Sequence, residues 1–120
     1  MIKIYHNPRC SKSRQTLDIL RKSGAEVEVI AYLDTPPRRD ELAKIIAQAG
    51  ETPRSVLRSM QKEAAEQGLT RESTDDEILD AMIAAPILIN RPLVVTPKGA
   101  RLCRPPERVY EILDVEKPVS

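Results

Sequence analysis

The sequence has no Phe and no Trp; three Tyr are its whole aromatic content. That scarcity argues against functions that stack bases on aromatic rings, such as an RNA-binding sheet or a single-strand-binding groove. There are only two Cys, at 10 and 103, too few for the disulfide scaffold of a small secreted domain. No Cys-x-x-Cys pair exists, and none of the usual zinc spacing, so no metal is expected. Neither sign of charge dominates: 19 basic residues face 18 acidic ones, which leaves no strong electrostatic footprint for nucleic acid. No apolar run approaches the roughly 20 residues of a membrane span. The opening MIKIYHNPRC has neither an apolar signal core nor a small-residue cleavage site. These absences together lead to the expectation of a cytoplasmic protein with reduced thiols and with no nucleic-acid or membrane partner.

What is present suits one domain over residues 1–120, with a core built from Ile, Leu, Val, Met and Ala. The near-zero net charge hides an asymmetry. Residues 1–22 carry six basic side chains against Asp18, and residues 87–108 carry five against Glu107, whereas residues 61–80 carry seven acidic against two basic. Two basic segments far apart in sequence, one of them beside Cys10, would form an anion site containing a thiol if the fold brought them together.

The local patterns give an order of elements. Ile2-Lys3-Ile4-Tyr5 alternates like a strand, and Asn7-Pro8 marks a turn. From Ser11 the spacing of Thr16, Leu17, Ile19 and Leu20 is helical, with Gly24 placed to end it. Residues 27–32 read as a second strand. Asp34-Thr35-Pro36-Pro37 reads as a helix start, with the helix over 38–49. Thr52-Pro53 opens a further helical turn, residues 59–73 carry no clear pattern, and Ser73-Thr74-Asp75-Asp76-Glu77 caps a helix that Pro86 stops. Leu93–Thr96 and Ala100–Cys103 read as a hairpin across Pro97-Lys98-Gly99, Pro105-Pro106 opens a last helix through Leu113, and the tail from 116 is expected to fray. The order β-α-β, a helical middle, then β-β-α is similar to a thioredoxin-like α/β fold. Such a fold has a small mixed four-stranded sheet, here with an all-helical insertion at about 37–85 before the third strand. By that analogy Pro92 takes the place of the cis-Pro kept beside the active-site thiol.

The chemistry concentrates at Cys10, where a strand hands over to a helix. The free N–H groups of a first helical turn favour both a thiolate and a bound anion. Arg9, Lys12 and Arg14 are expected to add positive charge there. The motif Cys10-Ser11-Lys12-Ser13-Arg14 lacks a second Cys at the fourth position, so it is not a dithiol exchanger. Its Arg falls four residues after the Cys; phosphatase-like anion loops place Arg six after, where Thr16 stands here. A lone nucleophilic Cys needs an external thiol to complete a redox cycle.

The segments IYHNPRCSKSR (4–14), YLDTPPRRDEL (32–42), SVLR (55–58), TDDEILDAM (74–82) and PILINRPLVVTPKGARLCRPPE (86–107) resemble the glutaredoxin-coupled arsenate reductase family over nearly the whole chain. The resemblance implies an oxidoreductase with Cys10 as nucleophile and His6 influencing its pKa. It implies that Arg58, Arg91 and Arg104 hold the oxyanion, Pro92 is the cis-Pro, and Ser13 and Arg14 give support. It implies arsenate as substrate, glutathione as co-substrate, glutaredoxin as partner, no bound cofactor, and no resolving role for Cys103. Two alternatives stand beside it. One is a glutathione-dependent monothiol reductase of another substrate. The other is an Spx-type transcription regulator binding RNA polymerase, which shares the fold but commonly switches through a Cys-x-x-Cys pair where this chain has Ser13.

Overall fold

The computed structural model describes residues 1–115 and 117. The tail expected to fray lies outside these residues apart from Lys117. The chain runs β1 (Ile2–Tyr5), α1 (Ser11–Lys22), β2 (Val27–Ile30), α2 (Arg39–Gln48), α3 (Pro53–Val56), α4 (Lys62–Glu66), α5 (Asp75–Ala84), a 3₁₀ turn over Pro86–Leu88, β3 (Leu93–Thr96), β4 (Gly99–Leu102) and a closing 3₁₀ helix over Pro106–Ile112. The four strands form one mixed sheet in the order β2-β1-β3-β4, with β1 and β2 parallel and the β1–β3 and β3–β4 pairs antiparallel. This is the α/β sheet expected from the sequence, with helices from Arg39 to Ala84 standing between β2 and β3.

Strand alternation sorts the core onto the two faces of the sheet. Ile2, Ile4, Val94 and Cys103 meet Leu17 and Leu20 of α1 and Val109 and Ile112 of the closing helix. Tyr5, Leu93, Ala100 and Leu102 meet Leu42, Ile45 and Ile46 of α2 and Ile78 and Met82 of α5. The sheet is therefore covered on both sides, and its ends are left to carry loops. Register decides which loops share an end. Tyr5 pairs with Leu93, and Leu93 with Leu102, so the exit of β1, the approach to β3 and the exit of β4 lie side by side.

Three local readings are corrected. The second strand stops at Ile30 instead of reaching Tyr32. His6 N–H bonds Ile30 C=O at 2.8 Å, after which β1 turns away and no partner strand remains. Ala31 C=O instead accepts from the N–H groups of Asp34 and Thr35, closing a turn. Helix α2 starts at Arg39 with Arg38 as an N-cap that makes no side-chain capping bond. Each residue before a Pro is steered away from the helical region, so Thr35 and Pro36 stay outside the helix and cannot cap it. The last helix is 3₁₀ rather than α. Its buried residues Pro106, Val109 and Ile112 fall at strict spacing of three, the repeat that aligns side chains on one face of a 3₁₀ helix. Gly24 (φ +80°), just past α1, takes the left-handed conformation that ends a helix, as its position suggested.

Candidate active site

Cys10 is the N-cap of α1, extended at φ −95° and ψ 122°, and is 7% exposed. Its N–H donates to Asn7 C=O at 3.0 Å and its C=O accepts from Arg14 N–H at 3.0 Å, so the turn and the helix both grip its backbone. Burial pushes the thiol pKa up, but other groups outweigh it and hold the thiol below its ordinary range. They are the backbone N–H of Ser13, the guanidinium of Arg91, the backbone N–H of Lys12 and the guanidinium of Arg104. Arg104 Nη1 lies 3.7 Å from the sulfur and also donates to Arg91 C=O at 3.0 Å.

The cations at the sulfur thus come from the distant basic segment. The side chains of Arg9, Lys12 and Arg14, expected to charge the thiol's surroundings, are not among the leading influences on it. Arg14 Nη1 instead donates to Pro8 C=O at 2.8 Å and ties down the turn before the nucleophile, while Arg9 N–H bonds Asn7 Oδ1. The strand ends at Arg91 and Arg104 lie against the first turn of α1, which is why residues distant in sequence reach the sulfur.

His6 and Ser13 sit behind the thiol. His6 Nδ1 and Ser13 Oγ share a 2.6 Å hydrogen bond, and Ser13 Oγ also accepts from Asn7 N–H at 3.0 Å. Ser13 is fully buried, so its hydroxyl links the strand exit to the helix while its own N–H favours the thiolate. Burial, then Arg21 and Arg14, lower the His6 pKa, which keeps the ring neutral at pH 7. His6 is therefore a neutral group joined to Ser13, the residue whose backbone N–H acts on Cys10.

Arg58 arrives by a separate route. Leu57 and Ile89 form an isolated antiparallel bridge, flanked by Arg58 N–H to Leu88 C=O and Asn90 N–H to Val56 C=O, both 2.8 Å. The bridge ties the end of α3 to the approach to β3, which brings Arg58 to Arg91. Arg58 Nη1 also donates to Ile87 C=O at 3.2 Å. Burial first and the charge of Arg91 next lower the Arg58 pKa, with Arg104 adding to them and Tyr32 and Cys10 opposing. Three guanidiniums within electrostatic reach of one another and of one thiol leave a surplus of positive charge, which an oxyanion would neutralise. The Arg91–Pro92 peptide is cis, with Pro92 C=O accepting from Cys103 N–H at 2.9 Å; the Arg104–Pro105 peptide is also cis.

Two members of this site escaped the sequence. Asn7 was read only as a turn residue, yet it is buried and its backbone and side chain organise residues 7–10. Tyr32 was read as a strand residue, yet it is 1% exposed and in electrostatic reach of Arg91, Arg58 and Cys10. Its signal was an aromatic side chain in a chain almost free of them. Among the described residues, no group of three His, Cys, Asp or Glu side chains could hold a metal. No described helix is long and apolar enough to cross a membrane.

Residues 5–112 match the ArsC family model. The chain is 54% identical over 118 residues to the arsenate reductase of Escherichia coli K12, covering 97% of this chain and 84% of that protein. It is 52% identical over 113 residues to the arsenate reductase of Rhizobium meliloti, covering 93% and 81%. The solved arsenate reductase from Vibrio cholerae superposes with a TM-score of 0.86 at 43% identity, covering 93% of this chain and 97% of that one. The match spans the Cys10 turn, the bridge that delivers Arg58 and the two strand ends that carry Arg91 and Arg104, and on this extent the chain belongs to the ArsC family.

Proposed function

We propose that the protein is an arsenate reductase that uses Cys10 as nucleophile and glutathione as co-substrate, with glutaredoxin completing each cycle. The observation that carries this reading is the low-pKa thiol at the head of α1, met by Arg104 at 3.7 Å with Arg91 and Arg58 beside it. Arsenate is a doubly or singly charged oxyanion that repels a thiolate. The guanidiniums offset that repulsion, orient the oxygens and favour the charge that builds as oxygen leaves.

The cycle balances as follows. The Cys10 thiolate attacks As(V), an S–As bond forms, and one As–O bond breaks with its oxygen leaving as water after protonation. The glutathione thiol displaces a second oxygen as water and forms a second S–As bond. A glutaredoxin thiolate then attacks the glutathione sulfur. A mixed disulfide forms, the S–As electron pair passes to arsenic, and As(V) becomes As(III) on Cys10. Water replaces the Cys10 sulfur, which leaves as thiolate, and arsenite is released. The electrons come from the two external thiols, so this chain needs no metal, flavin or nicotinamide of its own.

The test is arsenate-dependent NADPH oxidation with glutathione, glutaredoxin and glutathione reductase, run beside Cys10→Ser. Turnover that requires glutathione and Cys10 is the expected result. A folded protein with a reactive Cys10 and no arsenate-dependent turnover would refute the proposal.

A further inference from the structure

The turn after β2 buries a phenol beside the charged cluster. Tyr32 packs among Tyr5, Leu42, Ile45, Ile89 and Leu93, which fix its ring. Its hydroxyl is buried, and no described residue meets it at ordinary hydrogen-bond distance and angle, although the Asn7 side chain lies near enough to act on the phenol as a hydrogen-bonding group. Burial pushes the Tyr32 pKa up, against the opposing influence of the Asn7 side chain and of the Arg91 and Arg58 guanidiniums, and Cys10 adds to the rise. The phenol therefore stays protonated and remains an O–H donor throughout the neutral range. A second buried donor in the same cluster, Arg91 Nε, also lacks a partner. Buried donors left unmade are destabilising and uncommon in native folds. Here both belong to side chains in electrostatic reach of the same thiol, in a place already rich in positive charge. A tetrahedral oxyanion carries enough acceptor oxygens to satisfy both while it contacts Arg104.

We propose that Tyr32 is a substrate-binding residue, its O–H donating a hydrogen bond to an oxygen of the oxyanion held at Cys10. The assignment rests on the arsenate-reduction reading and adds a neutral donor to the arginine set. A neutral donor matters because it recognises an acceptor oxygen without further lowering the thiol pKa. Its contribution is separable from that of the guanidiniums, which act on anion and thiolate alike.

The test compares wild type with Tyr32→Phe, which removes one oxygen and keeps the ring. Cys10 alkylation by iodoacetamide is followed against pH without anion, then at rising arsenate without glutathione, and arsenate turnover is measured in the coupled assay. The expected variant has an unchanged alkylation midpoint. Its half-protecting arsenate concentration and its KM for arsenate are each raised about tenfold, the usual scale of one lost hydrogen bond to a charged group. Protection within twofold of wild type would overturn the assignment. So would a shifted alkylation midpoint, because the phenol would then be serving the thiolate. A wild type whose Cys10 arsenate does not protect, and which turns over no arsenate, would overturn the reductase reading itself. Since removing a buried hydroxyl can alter folding, wild type labelled with ¹³Cζ-tyrosine supplies an independent measurement. The Tyr32 resonance should move on arsenate titration, and a resonance that stays still at saturation would refute the contact.

Discussion

Cys10 and Cys103 present the same functional group in opposite environments. Cys103 is fully buried between the sheet and the closing 3₁₀ helix, and burial pushes its thiol up to about 12. It stays protonated through the neutral range, and its sulfur donates only weakly, to Arg101 C=O at 3.8 Å. Cys10 is also largely covered, but the helix N–H groups and two guanidiniums reverse the effect of burial. Reactivity follows thiolate fraction. Iodoacetamide should therefore modify Cys10 of the native protein and leave Cys103 until the chain unfolds, which peptide mapping before and after urea will show. The Cys10 rate should rise with pH to a midpoint below that of an ordinary free thiol, because the helix N–H groups and guanidiniums favour the thiolate. Arg104→Ala removes a group that favours the charged form, so its midpoint should move upward; an unmoved midpoint would exclude Arg104 from the thiol's field. Cys103→Ser should keep most of the turnover that Cys10→Ser loses. Equal loss in both would instead mean an intramolecular disulfide.

Helix α5 shows how far local chemistry could be read. Thr74 Oγ accepts from Glu77 N–H at 3.1 Å and Glu77 Oε1 accepts from Thr74 N–H at 2.8 Å, the reciprocal cap that the Thr-x-x-Glu spacing announces. Thr74→Ala should lower stability by about 1 kcal/mol. Urea unfolding should show this as an earlier midpoint at unchanged slope, and no change would mean that the packing of α5 on α2 and α3 makes the cap redundant. The acidic run around it, legible as a helix face, also pairs across space, with Arg39 bonding Asp80 at 2.6 Å and Asp76 at 2.9 Å. Such caps, Gly stops and alternating strands are short-range signals and were legible. Elements that depend on distant partners were not. The end of the patternless stretch 59–73 is held by Arg54, whose Nη2 donates to the carbonyls of Thr70, Arg71 and Ser73. Tyr32 has the alternating neighbours of a strand, and only the loss of a pairing partner beyond Ile30 takes it out of the sheet. Cys10 stands out by its own place between a strand and a helix, whereas Arg58, Arg91 and Arg104 are singled out by the family resemblance; what brings the four together is sheet register and the Leu57–Ile89 bridge.

At the scale of the whole molecule, four segments separated by tens of residues meet at one end of a sheet that helices cover on both faces. Bringing Arg58, Arg91 and Arg104 together is electrostatically unfavourable without an anion, so ligand binding and fold stability should be linked. A ligand that binds only the native state adds RT ln(1 + [L]/Kd), about 2.7 kcal/mol at a hundred times Kd. Arsenate without thiol should therefore raise the melting temperature by several degrees. Arg91→Ala should weaken oxyanion binding by about tenfold to a hundredfold, the scale of hydrogen bonds to charged groups. At the upper end, the stabilisation from the same arsenate concentration falls to about 0.4 kcal/mol. Arg101→Ala is the matched control. Arg101 sits opposite Val94 in the same hairpin, but its Nε is bound to Glu111 at 2.8 Å and its Nη1 to Ala100 C=O. Its loss removes the same formal charge from the molecule without touching the cluster at Cys10. If the stabilisation by arsenate follows net charge, the two variants will lose it equally. If it follows the convergence of strand ends, Arg101→Ala keeps the wild-type shift and Arg91→Ala loses most of it, which is the outcome this geometry requires.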